Sequence, residues 1–327
     1  MAVLVSQVVD AVLAAVDSDA GPQLVAGWCS ERYRELTNRS RFRHLLRLGE
    51  LLVPAVVTSG TVTATPGSPT IVGDATARAA WAALGADAIV DRYFRADGER
   101  NWYRIVGLTG ANGDLALATA YVSPFNGADP ATDAAYKIVK RFHALPDDLR
   151  HIGVVTHPRL YAPLDEITHQ ELDLAMTSRV LVADVPQFWA QTESAADGWV
   201  QIEVYPYART DQLLPYTYYV HAPVLTIDSR LPGDLDPHIL KTGALIDVHR
   251  WEMAKALREN KVEVAATWRN EMNTLVTRWE DKIREAVKQD RASDSLSLQW
   301  DTSGFPSSGG RMVRDARDYV YVRGNRP

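Results

Sequence analysis

The sequence predicts an α+β protein: a helical bundle core with an inserted small β-barrel or sandwich module, a β-hairpin and an extended C-terminal arm. Three observations predict this arrangement. Apolar residues recur at steps of three and four near the start of the chain and again between residues 237 and 288, the spacing that lines one face of a helix. At Pro54 the composition turns abruptly to Val, Thr and Gly in short runs between turn residues, as hairpins require. From Arg291 onward the periodicity lapses into Ser and Gly, the composition of a flexible tether.

The elements follow in order. Val5, Val8, Val9, Val12, Leu13 and Val16 predict a first helix over about Val3 to Val16, which Ser18, Asp19, Gly21 and Pro22 break. A second helix is expected from Gln23 to Thr37, with Leu24, Trp28, Cys29 and Leu36 inward. A third is expected from Arg41 to Leu52, with Phe42, Leu45, Leu46, Leu48 and Leu52 inward and Pro54 ending it. VVTSGTVTATPGSPTIVGD then reads as hairpins. After a helical turn or two over Ala75 to Leu84, candidate strands run over Ile89–Tyr93, Trp102–Leu108 and Leu115–Val122. A helix is predicted from Ala134 to His143, and another from Leu164 to Ala175 with Asp165 at its positive end. Trp199, Gln201, Glu203 and Tyr205 alternate with Val200, Ile202 and Val204, and Tyr216, Tyr218 and Val220 alternate likewise. A hairpin with a long tip joins them in this reading. Two closing helices are expected. One runs over Pro237–Glu259 behind an Asp236 cap. The other runs over Val262–Lys288 with Trp268, Met272, Leu275, Trp279, Ile283 and Val287 in one stripe. The domain boundaries that follow are 1–55 with 125–290 for the helical core, including the hairpin near 199–221, then 56–124 for the inserted β module and 291–327 for the arm.

Bulk properties restrict the function. The formal net charge is -6, without the basic excess that duplex-DNA readers use to neutralise phosphates. Cys29 is the single cysteine, which excludes an intrachain disulfide and a Cys-based zinc site. The apolar N-terminus lacks a basic leader and is interrupted by Asp10. No run reaches the roughly 18 apolar residues of a spanning helix. A soluble protein made in the cytoplasm, without membrane contact, is the expectation.

The search for catalytic chemistry yields no assigned residue, no cofactor and no metal. Gly107, Gly110 and Gly113 fall in a turn-rich β segment, not between a strand and a helix, so they do not make a nucleotide loop. Asp165, Glu166, His169 and Glu171 form the densest acid–histidine cluster. On one helix Asp165 and His169 would share a face, which reads as a solvated ion pair. His143, His151, His157, His221, His238 and His249 lack ligand spacing and read as surface or capping histidines. Cys29 reads as a buried, inert thiol. The arm is the feature a plain globular enzyme does not need. It closes on Tyr319, Val320, Tyr321 and Val322 beside Arg314, Arg317 and Arg323. Such a segment can lie on a neighbour and add a strand to its sheet, and these seven are the candidate docking residues.

Several segments resemble, in order, those of tailed-bacteriophage head-to-tail adaptor proteins, also called connector or head-completion proteins. GTVTATPGSPTIVG followed by NWYRIVGLTGANGDLALATAYVSP is similar to a small β module of that family, through Gly60, Thr61, Val62, Gly67, Val72, Gly73, Tyr103, Ile105, Leu115, Leu117 and Tyr121. KRFHALPDDLRHIGVV matches through Leu145, Pro146, Asp147 and Leu149, and WVQIEVYPYARTDQLLPYTYYVHAPVL through Tyr205, Pro206, Tyr216, Tyr218, Tyr219 and Pro223. The likeness covers most of residues 1–290. Asp74, Ala75 and Thr76 stand where the family repeats a Gly-Thr pair, and the arm has no match.

The resemblance implies a structural virion protein at the head–tail junction of a phage, made in the bacterial host. It implies a homo-oligomeric ring, a dodecamer, that joins the portal protein to a tail or stopper protein and lets DNA pass without sequence-specific binding. A stopper, collar or tail-terminator subunit of the same particle is the nearest alternative. A hydrolytic enzyme that uses the β module for binding is the alternative of another class, with Asp165, Glu166 and Glu171 as its dense carboxylates. A free-standing cellular scaffold is the third.

Overall fold

Helical spacing at the two ends of the sequence and strand spacing between them sort the chain into two compact units: residues 1–45 with 222–327, and Leu46–His221. The computed structural model describes the backbone of residues 3–16, 18–110, 112–122, 131–157, 162–178, 182–193, 199–301, 310–314 and 319–323, and side chains up to residue 290 except 177 and 178.

The first unit begins with α1 (Val5–Leu13), α2 (Pro22–Arg39) and a 3-10 turn at Arg43–Leu45. The second unit supplies β1 (Leu46–Val53), β2 (Val62–Ala64), β3 (Thr70–Gly73), α3 (Ala75–Leu84), α4 (Ala86–Ile89), β4 (Tyr93–Ala96), β5 (Tyr103–Thr109) and β6 (Asp114–Leu117). It continues with β7 (Ala131–Ala134), β8 (Tyr136–Val139), β9 (Phe142–Ala144), β10 (Leu149–Val155), β11 (Asp165–Glu166), α5 (His169–Ser178) and β12 (Val182–Ala183). It ends with β13 (Phe188–Glu193), β14 (Val200–Tyr205), β15 (Tyr207–Ala208) and β16 (Gln212–Val220). The first unit then resumes with α6 (Pro237–Arg258), α7 (Val262–Asp301), β17 (Gly310–Arg314) and β18 (Tyr319–Arg323).

In the first unit, Val5, Val8, Val9 and Val12 of α1 meet Val25, Cys29 and Leu36 of α2, Leu240 and Val248 of α6, and Trp279 and Ile283 of α7 in one core. The first N–H groups of a helix lack partners within it; here Val5 N–H donates to Ser229 O and Ser6 N–H to Ile227 O, both at 2.9 Å. Asp236 caps α6 by accepting the His238 N–H at 2.9 Å, with Pro237 behind it. Between α2 and α6, Arg32 grips both oxygens of Asp247 at 2.7 Å.

The second unit is built mainly of sheet, and this overturns the expectation of a helical bundle core; the protein remains α+β overall. Its largest sheet is antiparallel, in the order β7-β2-β3-β6-β5-β4-β8. Alternation places Val62, Ala64, Ile71, Phe94, Ile105, Leu115, Leu117 and Ile138 in one core, with Trp81 of α3 among them. Gly73 makes room for that indole: a Cβ there would stand 2.5 Å from the Trp81 ring. The Trp81 Nε1–H donates to the Tyr136 hydroxyl at 3.0 Å, which donates to Ser59 O at 2.6 Å. A three-stranded sheet β1-β16-β10 and a four-stranded sheet β11-β13-β14-β9 contribute a second core of Leu51, Ile152, Val155, Trp189, Ile202, Val204 and Leu214.

Five expectations fail inside this unit. The candidate strand over Ile89–Tyr93 is the end of α4 and a turn, with β4 opening only at Tyr93. The other four fail because strand pairing outweighs local spacing. The helix predicted over Arg41–Leu52 is a 3-10 turn followed by β1, paired antiparallel with β16. The helix predicted over Ala134–His143 is β8 and part of β9, because Tyr136 and Ile138 alternate into the core beside β4. The helix predicted from Leu164 opens only at His169, since Asp165 and Glu166 pair in parallel with Phe188 and Trp189. The strands near 199–221 are not a hairpin: β14 pairs with β13 and β9, whereas β16 pairs with β1 and β10.

Candidate functional site

β1 is an edge strand, bonded only to β16 among the described strands. In its antiparallel register Leu48 faces Thr217, Glu50 faces Pro215 and Leu52 faces Leu213. Leu51 and Val53 point into the core, so the period of two turns the even-numbered residues outward. Leu48 is 83% exposed, Leu52 58% and Leu213 47%, three leucines on one open sheet face. Gly49 lies opposite Tyr216, and a Cβ there would stand 2.4 Å from the tyrosine ring; the glycine lets that ring lie across the strand. A cleft of about 560 Å³ opens here, lined by Leu48, Glu50, Thr156, Pro215 and Thr217.

The same parity governs the main chain. The Arg47 guanidinium donates to Leu46 O at 3.0 Å, and the His143 side chain bonds to the Leu52 main chain. Both groups therefore point away from β16. Hydrogen-bonded and non-bonded pairs alternate along an antiparallel ladder, so Leu48 and Glu50 also turn their N–H and C=O to the outer edge. An edge strand with outward amides and exposed leucines is a template for strand addition.

A second constellation is buried. Arg141, between β8 and β9, donates to both oxygens of Glu203 on β14, at 2.7 and 3.0 Å. The Tyr207 hydroxyl donates to the same carboxylate at 2.7 Å. Glu203 is fully buried. Rings of Tyr93, Trp102 and Phe142 surround the guanidinium at 5.1 to 5.8 Å, a cation–π setting. Asp173 lies 3.9 Å from Arg141, and His169 Nδ1 lies 3.9 Å from Glu203. Burial opposes the Arg141 charge, but the Glu203 carboxylate more than offsets it and holds the guanidinium above its ordinary value. Burial, and then the Glu203 charge, push the Tyr207 hydroxyl well above its ordinary value. Arg141 and Tyr207 thus keep their protons throughout the neutral range. The constellation ties β9, β14, β15 and α5 together.

Of the docking residues nominated from sequence, Arg314 falls on β17 and Tyr319, Val320, Tyr321, Val322 and Arg323 fall on β18; Arg317 lies outside the described residues. β17 and β18 pair antiparallel, Arg314 with Tyr319 and Val313 with Val320. α7 runs on through Asp301 before them, where Ser293, Ser295 and Ser297 had suggested an open tether.

The acid–histidine cluster does not assemble. Asp165 and Glu166 are on β11, while His169 opens α5. Glu171 accepts the Thr168 N–H at 2.8 Å and its own N–H donates to the Thr168 hydroxyl at 3.3 Å, a capping box. Those Thr168 bonds hold the Glu171 carboxyl below its usual range. Cys29 is buried, and burial, with Asp247 adding to it, pushes its thiol up to about 12. Gly110 and Gly113 take positive φ in the β5–β6 turn. Trp268, Met272, Leu275 and Trp279 pack on the helical core. His143 and His249 are buried, contrary to their reading as surface or capping residues. In the first unit a cavity of about 340 Å³ lies over Phe42, Leu235, Ile239 and Ala286, with His44 bonded to Asp234 at 3.1 Å on its rim. Among the described residues no group of three or more His, Cys, Asp or Glu is placed to hold a metal ion, and no helix is long and apolar enough to cross a membrane.

Sequence reasoning missed Leu48 and Leu52 as surface residues, because it set them on the inner face of a helix. No local signal separated strand from helix, since Gly49 weakens a helix interior and a strand interior alike. It missed Arg141, Glu203 and Tyr207 because ion-pair partners 62 residues apart leave no local spacing. Compared with models of known families the chain matches none, and a search of curated proteins gives no match either.

Proposed function

We propose that this protein is an assembly part, a ring-forming subunit at the head–tail junction of a tailed phage that joins the portal to the tail and lets DNA pass. The observation that carries this reading is the open edge of β1, with Leu48 and Leu52 exposed. A solvated monomer gains nothing from such a surface, whereas a closed ring of head-to-tail contacts uses one surface of this kind per subunit. The ordered resemblance over most of residues 1–290 supports this place in the particle, and the acidic net charge suits a wall that DNA slides past. The buried Arg141–Glu203 pair fits a scaffold that must hold its shape. The test is native mass measurement of the purified chain, alone and mixed with a portal protein. A ring mass, near twelve subunits on the resemblance, that co-migrates with the portal supports the reading. A monomer that ignores the portal overturns it.

A further inference from the structure

Two sets of unpaired strand edges stand in this chain. One is β1, whose outer amides at Leu48 and Glu50 have no strand beside them among those described. The other is the β17–β18 pair, a two-stranded sheet whose outer edges meet no other described strand. Two strands alone are marginal in water, and a third with an apolar face is what makes such a sheet hold.

We propose that the C-terminal strands of one copy add to the β1 edge of the neighbouring copy, so that each subunit gives a strand and receives one. The proposal rests on the reading of this chain as a self-assembling subunit, and it names the acceptor. The lengths agree: β17 and β18 have five residues each, and the open stretch of β1 runs from Leu46 to Glu50. The side chains agree as well. On a strand added there alternate residues stand beside Leu48 and Glu50, and the run Tyr319-Val320-Tyr321-Val322 offers a bulky apolar or aromatic group at either parity. Charge agrees third. The chain from Gly310 to its last residue carries five arginines against two aspartates. On the acceptor strand the exposed Glu50, between the two exposed leucines, offers one of those arginines a carboxylate, with Arg47 as its only basic neighbour on that strand. The direction is head-to-tail, since donor and acceptor are different surfaces, and such contacts make a ring when the rotation per subunit closes.

The test uses the full chain and cysteine pairing. Leu48→Cys and Glu50→Cys are made as acceptors, and Val320→Cys and Tyr321→Cys as donors; the four pairings cover either register. Each variant is purified alone, then mixed with a variant of the other set and oxidised, while native mass reports self-association. Cys29, buried in the helical core, stays silent. The expected result is a mixed disulfide at twice the 36.2 kDa subunit mass in at least one pairing, lost when Leu174→Cys on exposed α5 replaces the acceptor. Rings without a mixed disulfide in any pairing overturn the proposal and leave the assembly reading standing. Disulfides only between two acceptor copies overturn it in favour of β1 pairing with β1. Monomers throughout overturn both.

Discussion

Each unit holds one buried arginine in the fork of one carboxylate, and the surroundings differ. In the helical unit, Arg32 and Asp247 have side chains 12% and 9% exposed. Arg32 also reaches Glu35 at 2.9 Å and lies over the Trp279 ring at 4.8 Å, while Asp247 has a second cation in Arg250 at 3.3 Å. In the β unit, Glu203 is sealed completely, and its second partner is a buried neutral hydroxyl, Tyr207. Arg141 has no second carboxylate closer than Asp173 at 3.9 Å. The helical pair is one link in a chain of charges that reaches solvent, and the β pair is closed on itself. A buried pair broken on one side leaves an uncompensated charge, so the closed pair has more to lose.

Glu203→Ala should therefore have the largest effect, about 3–5 kcal/mol of unfolding free energy, read from urea melts. Asp247→Ala should cost less, because Arg32 keeps Glu35; equal losses would erase the distinction between the two pairs. Tyr207→Phe removes one hydrogen bond to a buried charge and should cost about 1.5–3 kcal/mol, with the Arg141 fork intact.

Two pH effects of opposite sign belong to the β unit. Burial, then the nearby Lys140 charge, lowers the His143 pKa from 6.5 to about 3. The folded state refuses a proton that the unfolded state accepts, so this stability is whole above pH 6.5 and is lost as pH falls toward 3. His143→Gln should flatten that acid limb. Burial raises the Glu99 carboxyl from 4.5 to about 7, against the pull of Arg95. The folded state holds that proton longer, so stability drops as pH rises from 4.5 through 7. Glu99→Gln should melt later than the parent above pH 7 and alongside it below pH 4.5; a fixed gap at both ends would show that the gain is packing and not charge. The smallest effect is expected from Arg250→Ala, whose side chain is 62% exposed. About 0–1 kcal/mol is the range for such a pair, and a larger loss would mean that Arg250 is part of the buried set.

The helices of the first unit were legible because each turns one apolar stripe to one core: Val5, Val8, Val9 and Val12 in α1 are all buried, and Asp236–Pro237 marks the start of α6 as written. The β unit was legible as β only where turns punctuate it. Strand alternation marked Glu203 as a strand residue and gave no sign of its burial. β14 is covered on both sides, so Ile202, Glu203, Val204 and Tyr205 are all buried, and two-sided burial leaves no polar face to read. At residues 46–52 the leucine spacing satisfies a helix template as well as a strand, and only the partner β16, more than 150 residues away, decides between them. The docking surface was hidden for the same reason: whether Leu48 points in or out depends on that pairing.

The chain leaves the helical unit after Leu45 and re-enters it at Ala222, and this order governs synthesis. α1 and α2 leave the ribosome well ahead of the residues that cover them: Leu240, Val248, Trp279 and Ile283 are made only after all of Leu46–His221. At usual elongation rates that interval is on the order of ten seconds or more. The β unit has its full sequence by then and can fold, while the valine stripe of α1 is still waiting for α6. The earlier-made half of the helical core is thus finished later than the β unit, and the valine stripe of α1 is without α6 and α7 for the whole of that time.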